Sequence, residues 1–145
     1  MKSNRGFSLL ELLIVVAIIL IIATIAIPSF LRSRQAANES GAVANLRTLN
    51  TAQVAYSSSN SGAFGALTDL AGAGLVDTSF QNPQGKSGYV YTISLSGNNL
   101  DYTAAATAQA ASTGRYDFYS APDYVIRYSS VTTRAPAGLA GEPVR

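Results

Sequence analysis

The sequence predicts an α+β fold in which one long N-terminal α-helix packs on a three- or four-stranded antiparallel β-sheet. Three observations lead to this prediction. Residues 7–28 are almost wholly apolar, residues 29–57 continue with an amphipathic helical pattern, and the chain after residue 86 alternates apolar and polar positions between turn-forming segments. A small sheet needs a partner for its apolar face, and the amphipathic half of the helix supplies one.

The first half of the helix is an apolar segment long enough to cross a membrane. The sixteen positions from Leu12 to Ile27 contain one polar residue, Thr24. Counted from Phe7, the segment has 21 residues, which at ~1.5 Å per residue span about 30 Å, the thickness of a bilayer's hydrocarbon core. A secretory signal peptide fits less well, because its apolar region has only ~7–15 residues and ends at a small-x-small cleavage pattern.

The second half of the helix is predicted to continue past Pro28, which lacks an N–H group and should bend or loosen the helix locally. An amphipathic stripe at helical spacing, interrupted only by Gln53, supports the continuation, and the serine- and glycine-rich segment 57–62 then ends the helix. We therefore predict one helix from Phe7 to about Ser57. The stripe consists of Ala42, Leu46, Leu49, Gln53 and Tyr56.

Residues 58–145 are predicted to form a C-terminal β domain with a loop-rich tail. Residues 63–86 connect the helix to the sheet through a short helix near Leu67–Val76 and a turn at Asn82–Gly85. The tail from Arg134 is rich in proline, glycine and alanine. The predicted strands are Ser87–Ser96, Leu100–Ala106, Arg115–Ser120 and Tyr124–Ser129.

Composition argues against an enzyme. The chain has neither histidine nor cysteine, which removes the commonest general base, thiol nucleophiles and most zinc ligands. Outside Lys2 and Arg5 the basic and acidic residues balance, so a nucleic-acid partner is not expected. We expect no cofactor and no metal. Asp101, Asp117 and Asp123, which lie in the predicted strands and turns of the sheet, form no dense acidic loop of the kind that calcium requires.

Glu11 is the only charged residue between Arg5 and Arg32. An acid in an apolar segment costs up to about 2.5–3.5 kcal/mol at mid-bilayer and indicates a function with a specific partner. Cleavage after Gly6 would make Phe7 the new N-terminus, four residues before Glu11, where helical side chains are neighbours. The amine of Phe7 is therefore the predicted partner of Glu11.

The run from Gly6 to Ile19, continuing through Ala26-Ile27-Pro28-Ser29-Phe30, resembles the N-terminal signature of type IV pilins and type II secretion pseudopilins. That signature has a glycine before the cleaved bond, an acid four residues after the new N-terminus and a proline twenty-one residues after it. Gly6, Glu11 and Pro28 occupy these places when Phe7 is the first residue. The resemblance implies a leader of residues 1–6, cleavage after Gly6, N-methylation of Phe7, and assembly roles for Glu11 and Pro28. It also implies the pilin fold.

The function implied is that of a structural subunit of a type IV pilus, polymerised into a helical surface filament (fimbrium). Before assembly the precursor would lie in the bacterial inner membrane with its N-terminus in the cytoplasm. Its partners would be copies of itself, a prepilin peptidase that is also an N-methyltransferase, and the pilus assembly machinery. Two alternatives stay open. One is a pseudopilin or minor pilin of a type II secretion system, in a periplasmic pseudopilus. The other is a bitopic, membrane-anchored binding domain that does not polymerise.

Overall fold

The computed structural model describes residues 7–128 and 141–144. The chain forms two compact units, residues 1–34 and residues 35–145. The described elements are helix α1 (Leu9–Ser59), helix α2 (Leu67–Gly72), a 3₁₀ helix (Thr78–Gln81), and strands β1 (Tyr89–Leu95), β2 (Tyr102–Ala108), β3 (Phe118–Ser120), β4 (Ile126–Tyr128) and β5 (Glu142–Pro143).

Helix α1 confirms the prediction of a long N-terminal helix, with Pro28 inside it. It begins two residues later than predicted and ends two residues later, at Ser59. The ending is set by Ser61 and Gly62, both at positive φ, and by the N–H of Gly62 donating to the carbonyl of Ser57 at 2.9 Å. Glycine takes this left-handed conformation without a steric cost, which is why it ends helices.

The sheet is antiparallel throughout, with the strands in the order of the chain from β1 to β5. Within residues 7–128 and 141–144 it has five strands, where three or four were predicted. The additional strand, β5, pairs Glu142 with Tyr128 and Pro143 with Arg127. The N–H of Val144 then donates to the carbonyl of Ile126 at 2.8 Å. Proline is tolerated there because β5 is an edge strand.

The strands are shorter than predicted or shifted. Residues at their ends adopt turn conformations or form hydrogen bonds outside the strand pairing. Ser87 and Gly88 have positive φ, so β1 begins at Tyr89. Tyr124 has φ +61°, so β4 begins at Ile126. Strand β3 begins only at Phe118, since the carboxylate of Asp117 accepts the N–H of Ala108 at 2.9 Å. Ser129 and most of the predicted tail lie outside the described residues.

The core of the second unit lies between α1 and one face of the sheet. Ala42, Leu46 and Leu49 on the predicted helical stripe are fully buried. The sheet contributes tyrosines and small alanines to the same core. These sheet residues are Tyr89, Tyr91, Tyr102, Ala104, Ala106, Phe118 and Ile126.

Gln53 lies on the same buried stripe and is also fully buried. Its amide makes two hydrogen bonds to one backbone unit: Nε2 donates to the carbonyl of Gly65 at 2.7 Å, and Oε1 accepts the N–H of Gly65 at 3.0 Å. Gly65 is required there, because a Cβ would lie 2.9 Å from the ring of Tyr56. The polar residue in the stripe thus ties the loop after α1 to the core.

Candidate functional site

Helix α1 begins with a capping box formed by Ser8 and Glu11. The hydroxyl of Ser8 accepts the N–H of Leu10 at 3.3 Å, and Oε2 of Glu11 accepts the N–H of Ser8 at 3.0 Å. This cap satisfies N–H groups that the first turn leaves without helical partners, and the carboxylate also faces the positive end of the helix dipole. Glu11 therefore has a local role that our sequence analysis missed, although a serine three residues before a glutamate is its sequence pattern.

Phe7 precedes this cap, and its side chain is exposed. The Glu11 carboxylate is bonded to the backbone nitrogen of Ser8, the residue that follows Phe7. Cleavage after Gly6 would thus create an amine one residue away from the atom that Glu11 already binds. Gly6 lies outside the described residues, and the cleavage, the methylation of Phe7 and its pairing with Glu11 stay predictions.

The helix surface that follows is apolar on every side. Among the described residues, α1 is the one helix long and apolar enough to cross a membrane, with a mean hydropathy of 3.1 in its most apolar window and none of that window buried. Thr24, the polar residue of the segment, donates its hydroxyl to the carbonyl of Ile21 at 2.7 Å. Because that hydroxyl has its hydrogen-bond partner within the helix, its transfer into an apolar environment costs little free energy.

Pro28 lies inside α1, as predicted. Proline removes the N–H that would bond the carbonyl of Thr24, and its ring crowds that carbonyl. One turn beyond Pro28, the Ser33 hydroxyl donates to the carbonyl of Ser29 at 3.1 Å. The predicted assembly role of Pro28 stays a prediction.

In the second unit, helix α1 holds the loop between β2 and β3 through polar side chains. Glu39, almost fully buried, accepts the backbone N–H of Arg115 at 2.8 Å and its guanidinium at 3.0 and 3.1 Å. The hydrogen bond with Glu39 raises the pKa of Arg115. Gln35 and Asn38 donate to the carbonyls of Ala111 and Thr113 at 2.7 and 2.9 Å. These bonds hold in place a loop whose backbone is not part of the β-sheet hydrogen bonding.

Asp101, Asp117 and Asp123 make separate local contacts. Asp101 accepts the N–H of Tyr102 at 2.8 Å, Asp117 accepts that of Ala108, and Asp123 pairs with Arg127. The hydrogen bond from Arg127 lowers the pKa of Asp123. Within residues 7–128 and 141–144, no three acidic side chains come together as a metal site.

A buried polar network joins α1 to the sheet. The hydroxyl of Tyr102 donates to the side-chain oxygen of Asn50 at 3.0 Å, and the Asn50 amide donates to the hydroxyl of Ser120 at 2.8 Å. Burial, reinforced by the nearby charges, raises the pKa of Tyr102. The hydroxyl of this buried tyrosine thus has its hydrogen-bond partner within the core.

Comparison with known proteins agrees with this arrangement. Residues 1–27 match the family described as the prokaryotic N-terminal methylation motif. The chain is 53% identical over 53 residues to the type IV major pilin protein PilA of Myxococcus xanthus, covering 37% of this chain and 24% of that protein. It is 37% identical over 78 residues to the type IV wide pilus major component PilA4 of Thermus thermophilus, covering 54% of this chain and 60% of that one. The chain thus spans less than two thirds of either relative.

In this chain the matched methylation motif leads into an exposed apolar helix, which continues as the helical layer of an α+β domain. The curated relatives are a type IV major pilin and the major component of a type IV wide pilus. The fold of this chain is consistent with the pilin fold.

Proposed function

We propose that this chain is a structural subunit of a type IV pilus, made as a prepilin, cleaved after Gly6 and polymerised into a surface filament. The observation that carries the proposal is the apolar half of α1. Its large side chains are exposed on all faces of the helix, and none of its most apolar window is buried. Such a surface is stable only in lipid or against other apolar helices. A filament subunit needs both environments in turn.

The precursor is held in the inner membrane by this segment, with the leader on the cytoplasmic side, where Lys2 and Arg5 favour it. A prepilin peptidase hydrolyses the peptide bond between Gly6 and Phe7. The same enzyme then transfers a methyl group from a methyl donor to the new amine, which loses one proton. The assembly machinery transfers the helix from lipid into a bundle of identical helices, where copies of this chain replace lipid as its partner.

Glu11 changes partner during this transfer. In the free subunit its carboxylate caps its own helix through the N–H of Ser8. In the filament, where water is excluded, it pairs with the protonated amine of Phe7, either in its own chain or in a neighbour displaced along the axis. Between chains the pair would fix axial register, which is the best-attested use of a buried charge pair.

The proposal is tested by electron microscopy of sheared surface material from cells with and without this chain. Filaments present in the parent, absent in the deletion strain and restored by the full chain would support it. Filaments that persist in the deletion strain would contradict it. If the deletion instead leaves exported enzymes trapped in the periplasm, the pseudopilin alternative is correct.

A further inference from the structure

We propose that Arg32 and Arg34 form a headgroup-binding collar that holds the membrane-stored subunit by the phosphates of anionic phospholipids. The inference rests on the proposed function, because it concerns the subunit before assembly. It is carried by the position of the two arginines after the apolar segment, their lack of a protein partner and their placement around the helix.

The charges on α1 mark the ends of the apolar segment. Between Glu11 and Arg32 lie twenty residues without a charge, which as a helix span about 30 Å. Arg32 and Arg34 therefore come where the hydrocarbon ends and the phosphate layer begins. Arginine stems lie along apolar surface while their guanidinium groups reach the headgroups, where they bind phosphate oxygens with two parallel hydrogen bonds.

Neither arginine has a partner among the described residues. Both side chains are exposed, and neither forms one of the salt bridges found in residues 7–128 and 141–144. The next acid along α1 is Glu39, whose carboxylate is already held by Arg115 through the backbone and the side chain. Arg115 and Arg127 are paired, whereas Arg32 and Arg34 are available to an external anion.

The placement of the two arginines favours lipid over a protein surface. Two residues apart on a helix of 3.6 residues per turn, Arg32 and Arg34 point about 200° apart. A protein partner covers one face of a helix, whereas a lipid leaflet surrounds it. Headgroups all round the helix can therefore bind both cations at once, whereas an acidic patch on one protein surface would reach only one of them.

Processing would make this collar more important. Cleavage after Gly6 removes Lys2 and Arg5, so Arg32 and Arg34 become the only basic side chains between Phe7 and Arg47. They would then be the sole cationic side chains that anchor the apolar segment to either headgroup layer.

The test uses the full chain reconstituted in phosphatidylcholine vesicles with spin-labelled phosphatidylglycerol or phosphatidylcholine as the probe. Electron paramagnetic resonance gives the enrichment of each lipid in the layer that contacts the helix. An arginine near an anionic surface contributes a factor of up to about five. The wild-type chain should therefore enrich phosphatidylglycerol several-fold. The doubly substituted R32Q/R34Q chain should lose the part of that enrichment that Arg32 and Arg34 provide and keep the part that comes from Lys2 and Arg5.

Arg47→Gln is the matched control, because Arg47 is also exposed on α1 but lies thirteen residues beyond Arg34. It should enrich phosphatidylglycerol as the wild type does. The leader residues contribute equally to all variants, so the differences report on the arginines. The inference is overturned if R32Q/R34Q keeps the wild-type enrichment, if Arg47→Gln loses as much, or if enrichment vanishes on dilution of protein in lipid, which would indicate contact between copies. Surface filaments in the R32Q/R34Q strain, scored separately, report on the proposed function and not on the collar.

Discussion

Replacing Glu11 with glutamine separates the two roles that the carboxylate is expected to play. In the wild-type chain the Glu11 carboxylate accepts the N–H of Ser8 at 3.0 Å. The side-chain oxygen of a glutamine can accept the same N–H, so the cap of the helix is kept. The negative charge is lost. Glu11→Gln therefore removes the predicted pair with the Phe7 amine while it preserves the start of α1.

The two roles differ in magnitude. Loss of a helix cap costs about 0.5–2 kcal/mol, and at an exposed helix start the lower part of that range applies. Removing one partner of a buried ion pair costs about 3–5 kcal/mol, because the other charge is left unpaired in an apolar environment. At ~1.4 kcal/mol per factor of ten, the second effect lowers the equilibrium for adding each subunit by two to three orders of magnitude or more. A filament cannot accumulate against such a penalty.

The assay compares Glu11→Gln with Ser8→Ala, which removes the cap hydroxyl and keeps the charge. Blots of membrane and sheared-surface fractions give the amount of each variant in each place, and intact mass confirms that both are cleaved. We expect normal membrane levels for both variants, near wild-type surface filament for Ser8→Ala, and almost none for Glu11→Gln. Wild-type amounts of filament from Glu11→Gln would show that Glu11 acts as a cap and not as a charge.

The remaining predictions concern the second unit. A fragment beginning at Ser29 keeps the buried face of α1 and the whole described sheet, so it should be soluble, monomeric and folded; a random-coil circular dichroism spectrum would refute the single core of residues 29–145. Gln53→Leu leaves both backbone groups of Gly65 without their bonds and should lower the free energy of unfolding by about 2–5 kcal/mol in urea titrations, whereas the exposed neighbour Thr51→Val should change it little. Arg127 lowers the pKa of Asp123 in the folded chain, so this pair stabilises the fold above the unfolded aspartate's pKa near 3.9, and the contribution is lost as the pH falls through the lower folded value. Asp123→Asn should accordingly reduce the loss of unfolding free energy as the pH falls below about 4. An unchanged pH dependence in that range would contradict the stabilising role of the Asp123–Arg127 pair.

The helix and the first hairpin could be predicted because their signals are local. Helical spacing from Ala42 to Tyr56 and strict alternation from Tyr89 to Leu95 each recur over several residues, and burial on one face makes the register definite. The capping pattern of Ser8 and Glu11 is equally local, because a serine three residues before a glutamate is visible in the sequence. We interpreted Glu11 from the sequence only as a charge in an apolar segment.

The rest depends on contacts between distant residues. Strand β5 has only Glu142 and Pro143, too few for any alternation, and it forms because β4 offers a free edge. In the sequence, Gln53 interrupts the apolar stripe. Its hydrogen-bond partner, Gly65, lies in the loop after α1, and this contact is visible only in the folded structure. The third strand is short because Asp117 bonds Ala108 instead of extending the ladder.

The central claim is that this chain is cleaved after Gly6 and polymerised. The intact mass of the subunit in purified, sheared surface filaments tests it most directly. We expect a subunit that begins at Phe7, lighter than the full chain by residues 1–6 and heavier than residues 7–145 by one CH2, because a methyl group replaces one amine hydrogen. A filament subunit that retains Met1 to Gly6, or surface filaments that do not contain this chain, would contradict it.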